Sequence, residues 1–358
     1  MGVSLGIEEQ ELKEALGAWL EEHLPAASDL SVASVSLPGN GASNLTGIVD
    51  ATWTEGGSAR HEDLVLRTLS PNASQLYETY DLAKQYRIME CLAPTAIRVP
   101  RLVAFEADPS LLGREFYVMH NTGGRAVPER PSYHESGWFA DLHDDERRRL
   151  WLQGVDAIAA IHGLDWQALG LDFVAAEGTG DHLDRFVSRH SEHLRWMERR
   201  NEREYPQLRR VFDWLEQHVP RETPISLLWA DAKLGNVMIE GSDIVGVLDW
   251  EHCTIGPNLY DLANWMIFDR LMSTGARVPR AAGLPERDET VRRYEEATGH
   301  PATDLTYFEL FSAVRLANVT CGMAPDLIAA GLVPPEFATR NAGTIVLDKQ
   351  LDMMGLRL

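Results

Sequence analysis

Cysteine is scarce in this chain. Cys91, Cys253 and Cys321 stand far apart in 358 residues, which excludes a disulfide framework and leaves no C-x-x-C metal pattern. Such a chain suits a reducing compartment, and a cytoplasmic location is expected. Long apolar runs are missing too: none reaches the ~18 residues that span a bilayer. The N-terminus lacks a basic stretch followed by an apolar one, so no secretory leader is expected. Positive charge is also short, with 33 Lys and Arg against 54 Asp and Glu, a formal net charge of -21. Nucleic-acid binding relies on a basic footprint. The expectation is therefore no nucleic-acid partner and no membrane. The same acidity is what solubility alone produces, and it also suits a cationic substrate. No internal repeat or low-complexity segment is visible.

What is present is an ordinary globular composition, 44% apolar and 24% charged, enough for a substantial core. The length fits two domains or one large two-lobed unit. Leu12, Leu16, Trp19, Leu20 and Leu24 recur at helical spacing, and Pro25 ends that helix. Strands are predicted over 31–37, 45–54 and 63–67. They form a β-meander, with Pro38-Gly39-Asn40-Gly41 turning the chain between the first two. A helix is predicted over 75–92, then short strands over 101–106 and 115–119. Gly123-Gly124 follows as a hinge candidate. Helical patterns dominate the rest, over about 145–162, 181–218, 257–272, 288–298, 304–330 and 343–356. The exception is 225–250, which reads as β runs at Ile225–Leu228, Val237–Ile239 and Ile244–Leu248. The Trp and Arg residues of 185–214 fit an amphipathic helix face.

The chemistry concentrates in Trp229-Ala230-Asp231-Ala232-Lys233-Leu234-Gly235-Asn236, followed thirteen residues later by Asp249-Trp250-Glu251. Phosphoryl transfer asks for few protein groups: a carboxylate to orient the acceptor hydroxyl and take its proton, and oxygen ligands for Mg²⁺ on the phosphates. Mg²⁺ prefers hard oxygens and keeps several waters, so two protein ligands suffice. Asp231 fits the first role, and Asn236 and Asp249 the second. Gly39 and Gly41 let main-chain N–H groups approach phosphate oxygens, and Ser43 or Asn44 adds a side-chain donor. A plain hairpin turn has the same composition. His252-Cys253 has no partner pair at metal-ligand spacing.

These residues resemble the aminoglycoside phosphotransferase family, which includes choline-kinase-like enzymes and the kinase domains fused to some acyl-CoA dehydrogenases. The likeness covers about residues 30–330. Gly39 to Thr46 resembles the phosphate loop, Leu64 to Arg67 the third strand, and Glu115 to Met119 the strand entering the hinge. Ala160-Ile161-His162 is similar to the family's helix end. Asp231 to Asn236 is similar to its catalytic loop, Asp249-Trp250-Glu251 to its metal-binding strand, and Tyr260 to Ala263 to the next helix start. The resemblance implies an α+β, two-lobed protein-kinase-like fold, with a β-rich N-lobe over 1–119 and a mainly helical C-lobe over 120–358. It implies ATP as phosphate donor, Mg²⁺, and a small-molecule hydroxyl acceptor, either a hydroxylated metabolite or an aminoglycoside-like antibiotic. It places adenine against the main chain of Met119, His120 and Asn121, and makes Asp261 an acceptor for catalytic-loop N–H groups.

Three positions depart from the family pattern. His-Gly-Asp is replaced by Trp229-Ala230-Asp231. The phosphate-gripping Lys is replaced by Arg67, which stays charged and bonds phosphate through two N–H groups. The helix position that offers Glu to that Lys is Gln85, with Glu78 as the other candidate. These departures keep a second reading open, a nucleotide-binding module with little or no transferase activity.

Overall fold

The computed structural model describes residues 8–40, 44–69 and 76–358. They fall into two compact units, Met1–Thr122 and Gly123–Leu358.

The first unit opens with helix α1 (Glu9–His23), whose Leu12, Leu16, Trp19 and Leu20 are buried. Strands β1 (Ala27–Asn40), β2 (Asn44–Glu55) and β3 (Ser58–Leu69) form an antiparallel meander. Strands β4 (Leu102–Glu106) and β5 (Phe116–His120) complete a five-stranded sheet in the order β1-β2-β3-β5-β4. Leu45, Val49 and Ala51 of β2 alternate inward with Leu64 and Leu66 of β3, and they share one core with α1. This is the period-2 burial of a sheet with one covered face. The meander is longer than its sequence pattern indicates. β1 continues through Pro38 and Gly39, with a register shift between Ser36 and Gly39, so that Gly39 pairs with Thr46. The turn expected at 38–41 lies in part within this strand. Helix α2 (Leu82–Leu92) is shorter than the predicted 75–92. Asp81 caps it by accepting from the Lys84 N–H at 2.7 Å, and an N-cap carboxylate ends a helix where the apolar spacing alone does not.

The second unit is mainly helical. It begins with the short strand β6 (Arg125–Ala126), not foreseen in the sequence, which pairs with β8 (Val237–Glu240). Gly124, at φ +71°, lies so close to this hairpin that a Cβ would sit 2.6 Å from the Ile239 carbonyl oxygen. β8 pairs in turn with β9 (Asp243–Val247). Strand β7 (Ile225–Leu228) pairs with β10 (Thr254–Pro257). β10 is wholly buried, so it lacks the alternation that marks a strand in sequence.

Helices α3 (Asp144–His162), α4 (His182–Arg200) and α5 (Pro206–Gln217) precede β7. The predicted single helix over 181–218 is thus two. Pro206 starts α5 and disfavours helical backbone at Tyr205. Helices α6 (Leu259–Arg270), α7 (Arg287–Thr298), α8 (Leu305–Ala329) and α9 (Ala342–Met354) follow. Every residue of α6 except Arg270 is buried, as expected of a helix with no polar face. α3 packs across it at Gly154, where a Cβ would lie 2.3 Å from the Trp265 ring. Among the described residues no helix is long and apolar enough to cross a membrane.

Trp265 is buried and packs on Trp151 with ring centroids 5.2 Å apart, so its ring has little room to yield. Gly154→Ala should destabilise the protein by about 1–3 kcal/mol through overpacking, read from urea unfolding. An unchanged midpoint would mean that the α3–α6 contact is looser than this geometry.

Candidate active site

The second unit gathers Asp231, Asn236 and the strand end that carries Asp249. β7 delivers the chain to Trp229 and Ala230, whose N–H groups donate to the two carboxylate oxygens of Asp261, each at 2.8 Å. Asp261, in the first turn of α6, is fully buried. His162 Nε2 lies 3.1 Å from Asp261 Oδ2, and Tyr294 OH 2.8 Å from His162 Nδ1. A buried carboxylate needs such partners, and together they fix where the loop begins. Asn264 adds a bond from its Nδ2 to the Ala232 carbonyl at 3.1 Å. Asp261 and His162 thus take the scaffold positions that the sequence suggested.

Trp229 is fully buried. Its indole N–H donates to the Leu248 carbonyl at 2.8 Å, which ties the loop to the residue before Asp249. Ala230 sits at φ +65° and Asp249 at φ +64°, left-handed backbone that costs a non-glycine residue roughly 1–2 kcal/mol. The middle position of a His-Gly-Asp pattern is therefore one where glycine relieves strain, and this chain carries that strain in Ala230.

Asn236 is turned by its own bonds. Its Nδ2 donates to the Asp231 carbonyl at 3.0 Å and to Asp231 Oδ2 at 2.9 Å. That fixes the amide and leaves its oxygen directed away from Asp231. Its main-chain carbonyl accepts from the Leu248 N–H at 2.9 Å, so the β8–β9 hairpin brings Asn236 beside the strand that ends in Asp249.

Four further groups surround Asp231 that the motif reading did not assign. Lys233 Nζ lies 3.4 Å from Asp231 Oδ2 and 3.1 Å from Glu129 Oε1, with its charge 4.7 Å over the Phe268 ring. Arg315, from α8, places Nη1 3.3 Å from Asp231 Oδ1. Burial works against the charge on Asp231, but Lys233 and Arg315 outweigh it and hold the carboxyl well below the usual carboxylate range. Burial likewise works against Lys233, and Asp231 and Glu129 outweigh it and raise the amine. Burial and Arg315 push His252 down to about 3, so this imidazole is neutral at physiological pH. Lys233 stands inside the motif and was open to a charge argument. Arg315 and Glu129 had no local signal.

The first unit holds the remaining sequence-predicted residues. Gly41 and Ser43 lie outside the described residues. Asn44 opens β2, buried, and its Nδ2 donates to Gln85 Oε1 at 3.4 Å. Arg67 pairs across the sheet with Thr46 and donates from Nη1 to Thr46 Oγ1 at 2.9 Å. Of the two candidates for its helical neighbour, Gln85 is in α2 and buried, while Glu78 precedes the helix and is exposed. Met119 pairs with Val65 and Leu102. The His120 N–H donates to the Arg101 carbonyl at 2.7 Å, and Asn121 follows the end of β5.

The chain is similar to acyl-CoA dehydrogenase family member 10 of Mus musculus, 28% identical over 270 residues, 73% of this chain and 24% of that protein. It is similar to acyl-CoA dehydrogenase family member 11 of Rattus norvegicus, 25% identical over 323 residues, 86% of this chain and 39% of that protein. The chain thus spans well under half the length of these relatives. Among solved structures it resembles a protein of Ralstonia eutropha assigned as an aminoglycoside phosphotransferase, with a TM-score of 0.71 and 25% identity over 96% of this chain and 99% of that one. The fold is also that of an ethanolamine kinase from Plasmodium vivax, with a TM-score of 0.58 and 12% identity over 92% and 82%. The phosphotransferase enzyme family matches residues 35–305, most of the chain and all of the loop built on Asp261, and this protein belongs to that family and has its kinase-like α+β fold.

Proposed function

We propose that this chain is an ATP-dependent, Mg²⁺-requiring phosphotransferase that moves the γ-phosphoryl group of the nucleotide to a hydroxyl of a small molecule. The observation that carries this reading is Asp231, a buried carboxylate kept ionised between Lys233 and Arg315 and locked in orientation by the Asn236 amide. An oriented anion of this kind accepts a hydrogen bond from an acceptor hydroxyl and aims its oxygen. In the transfer, the hydroxyl oxygen bonds to the γ-phosphorus while the bond from that phosphorus to the β–γ bridging oxygen breaks. ADP leaves with that electron pair, and the hydroxyl proton passes to Asp231. Because its carboxylate is a weak base, Asp231 contributes chiefly by orientation and takes the proton late, as suits a loose transition state.

Asn236 and Asp249 are the residues that would hold Mg²⁺. The donor set fits: an amide oxygen freed by the Nδ2 bonds to Asp231, and a carboxylate on the adjoining strand end, both hard ligands. Among the described residues no cluster of three or more His, Cys, Asp or Glu forms a cage, which suits an ion that takes its other ligands from phosphate and water. When bound, the ion offsets charge on the phosphate oxygens. In the first unit, Arg67 and the 39–44 loop are the phosphate-holding groups. Recognition of the base falls to main-chain groups of 119–121 other than the His120 N–H, which the sheet already uses. The acceptor is a hydroxylated metabolite or an aminoglycoside-like antibiotic.

Two variants test the division of labour. Asp249→Asn should weaken Mg-ATP binding and transfer together. Asp231→Asn should leave Mg-ATP affinity near wild type and slow transfer by about 10²–10⁴-fold. Calorimetric titration of Mg-ATP beside a phosphoryl-transfer assay reads both. Equal transfer rates for wild type and Asp231→Asn would remove Asp231 from the mechanism. Mg-ATP binding with no phosphorylated product in a broad screen of hydroxylated metabolites and antibiotics would favour a nucleotide-binding module.

Arg67→Ala removes a charge-assisted contact and should weaken nucleotide binding by about 1.5–3 kcal/mol, with Arg67→Lys retaining part of it. Unchanged affinity in the alanine variant would mean that another residue grips the phosphates.

A further inference from the structure

Helices α3 and α7 of the second unit are pinned together at a buried point, where the Trp151 indole donates to Thr290 Oγ1 at 2.9 Å. Between them lies an open groove of about 550 Å³. Its α3 wall carries Arg148, Arg149 and Asp156, and its α7 wall carries Glu289, Arg292 and Arg293. The spacings put each set on one face of its helix. Four arginines stand against three carboxylates in this lining, with Glu296 the third. Asp243, which meets Arg149 from the β8–β9 turn, makes the balance even. The groove thus lacks the surplus of acid that gives the whole chain its net charge of -21.

The ion pairs here are exposed ones. Arg148 pairs with Glu289, Arg293 with Asp156 at 2.7 Å, and Arg149 with Asp243 at 2.7 Å. Their side chains are 31–58% exposed, and pairs so wet hold weakly and exchange partners readily. Arg292 is exposed and makes no hydrogen bond or ion pair among the described residues. A guanidinium offers paired N–H groups to a phosphate. Two phosphates on one molecule engage both walls, and the second contact forms without a second loss of free ligand motion.

Both walls are also fastened to the candidate active site. From α3, Gln153 accepts the Ile244 N–H and donates to the Ser242 carbonyl, each at 2.9 Å. With the Arg149–Asp243 pair, these bonds clamp the turn of the hairpin that runs from Asn236 toward Asp249. On α7, Tyr294 directly follows Arg293 and reaches His162, which holds Asp261 and through it the Trp229 and Ala230 N–H groups. A phosphate on Arg149 competes with Asp243 and slackens the hairpin clamp.

We propose that the α3–α7 groove is a regulatory site for a small bisphosphate, a molecule with two separated phosphate groups. Arg148 and Arg149 hold it from one wall and Arg292 and Arg293 from the other, and its occupancy weakens Mg-ATP binding at the Asp231 loop. The binding site stands apart from the phosphotransferase reading, while its effect on the nucleotide rests on that reading.

Calorimetric titration of the full chain tests the site without nucleotide, metal or turnover. The probes are hexamethylene bisphosphate and hexyl phosphate, neither of which carries an alcohol for transfer. A chain of this net charge repels anions in general, so tight binding reads a local site. The bisphosphate should bind at least about tenfold more tightly than the monophosphate. Arg292→Gln and Arg148→Gln, one from each wall, should each weaken it about tenfold or more, and Arg292→Lys should keep part of the affinity. Thermal melts check folding, and Arg292→Gln breaks no bond within the described residues. With the bisphosphate present, Mg-ATP should bind about fivefold more weakly, a loss that levels off once the groove is full. Equal affinity for the two probes overturns the site, as does no binding at millimolar concentration or undiminished binding in both glutamine variants. A loss of Mg-ATP affinity that grows without limit as the bisphosphate rises also overturns it, because the probe would then occupy the nucleotide's own place. Groove binding with unaltered Mg-ATP affinity overturns the regulatory role. Bisphosphate binding by a chain that fails to bind Mg-ATP supports the site and counts against the kinase reading, so the two fail separately.

Discussion

Everything at the candidate site hangs on one buried carboxylate that is not in the motif. Asp261 takes the N–H groups of Trp229 and Ala230 on its two oxygens and is itself held by His162 and, behind it, Tyr294. A carboxyl side chain with no exposure is tolerated only when its oxygens are filled. The same bonds that satisfy Asp261 therefore pin the main chain just before Asp231. Left-handed backbone at Ala230 and Asp249 is the strain this anchoring supports, and strain of that kind gathers where a side chain must be aimed.

Trp229 extends this logic. Where the His-Gly-Asp family pattern has His, this chain has an indole that donates to the Leu248 carbonyl, and the β8–β9 hairpin adds the Asn236-to-Leu248 main-chain bond. Two connections thus join the loop to the strand that ends in Asp249. The substitution replaces a small polar ring with a large buried one, and its polar atom still finds a partner, as buried Trp requires.

Charge at the site follows from where cations come from, not from how many the chain has. Thirty-three basic residues against fifty-four acidic ones give an acidic chain, while Lys233 and Arg315 converge on one carboxylate. In low-dielectric surroundings a few near charges outweigh many distant, solvated ones. A reading of ligand class from net charge alone points toward cations.

The sequence by itself determined the strand–loop–hairpin that carries Asp231, Asn236 and Asp249, because all three lie within nineteen residues whose spacing is set by local β pairing. It also determined the sheet meander and most helix positions, which rest on local periodicity. Its errors were local as well. The cap at Asp81 shortened α2, Pro206 split one predicted helix, and full burial hid β10. The surroundings of Asp231 were decided by tertiary structure alone. Arg315 meets it from 84 residues away, Glu129 reaches Lys233 from more than a hundred residues upstream, and Asn318 faces His193 across 125. Each is an ordinary polar residue in its own segment. Only the packing together of segments far apart in the chain gives it a partner, because burial and charge pairing are properties of neighbours in space that no local pattern encodes.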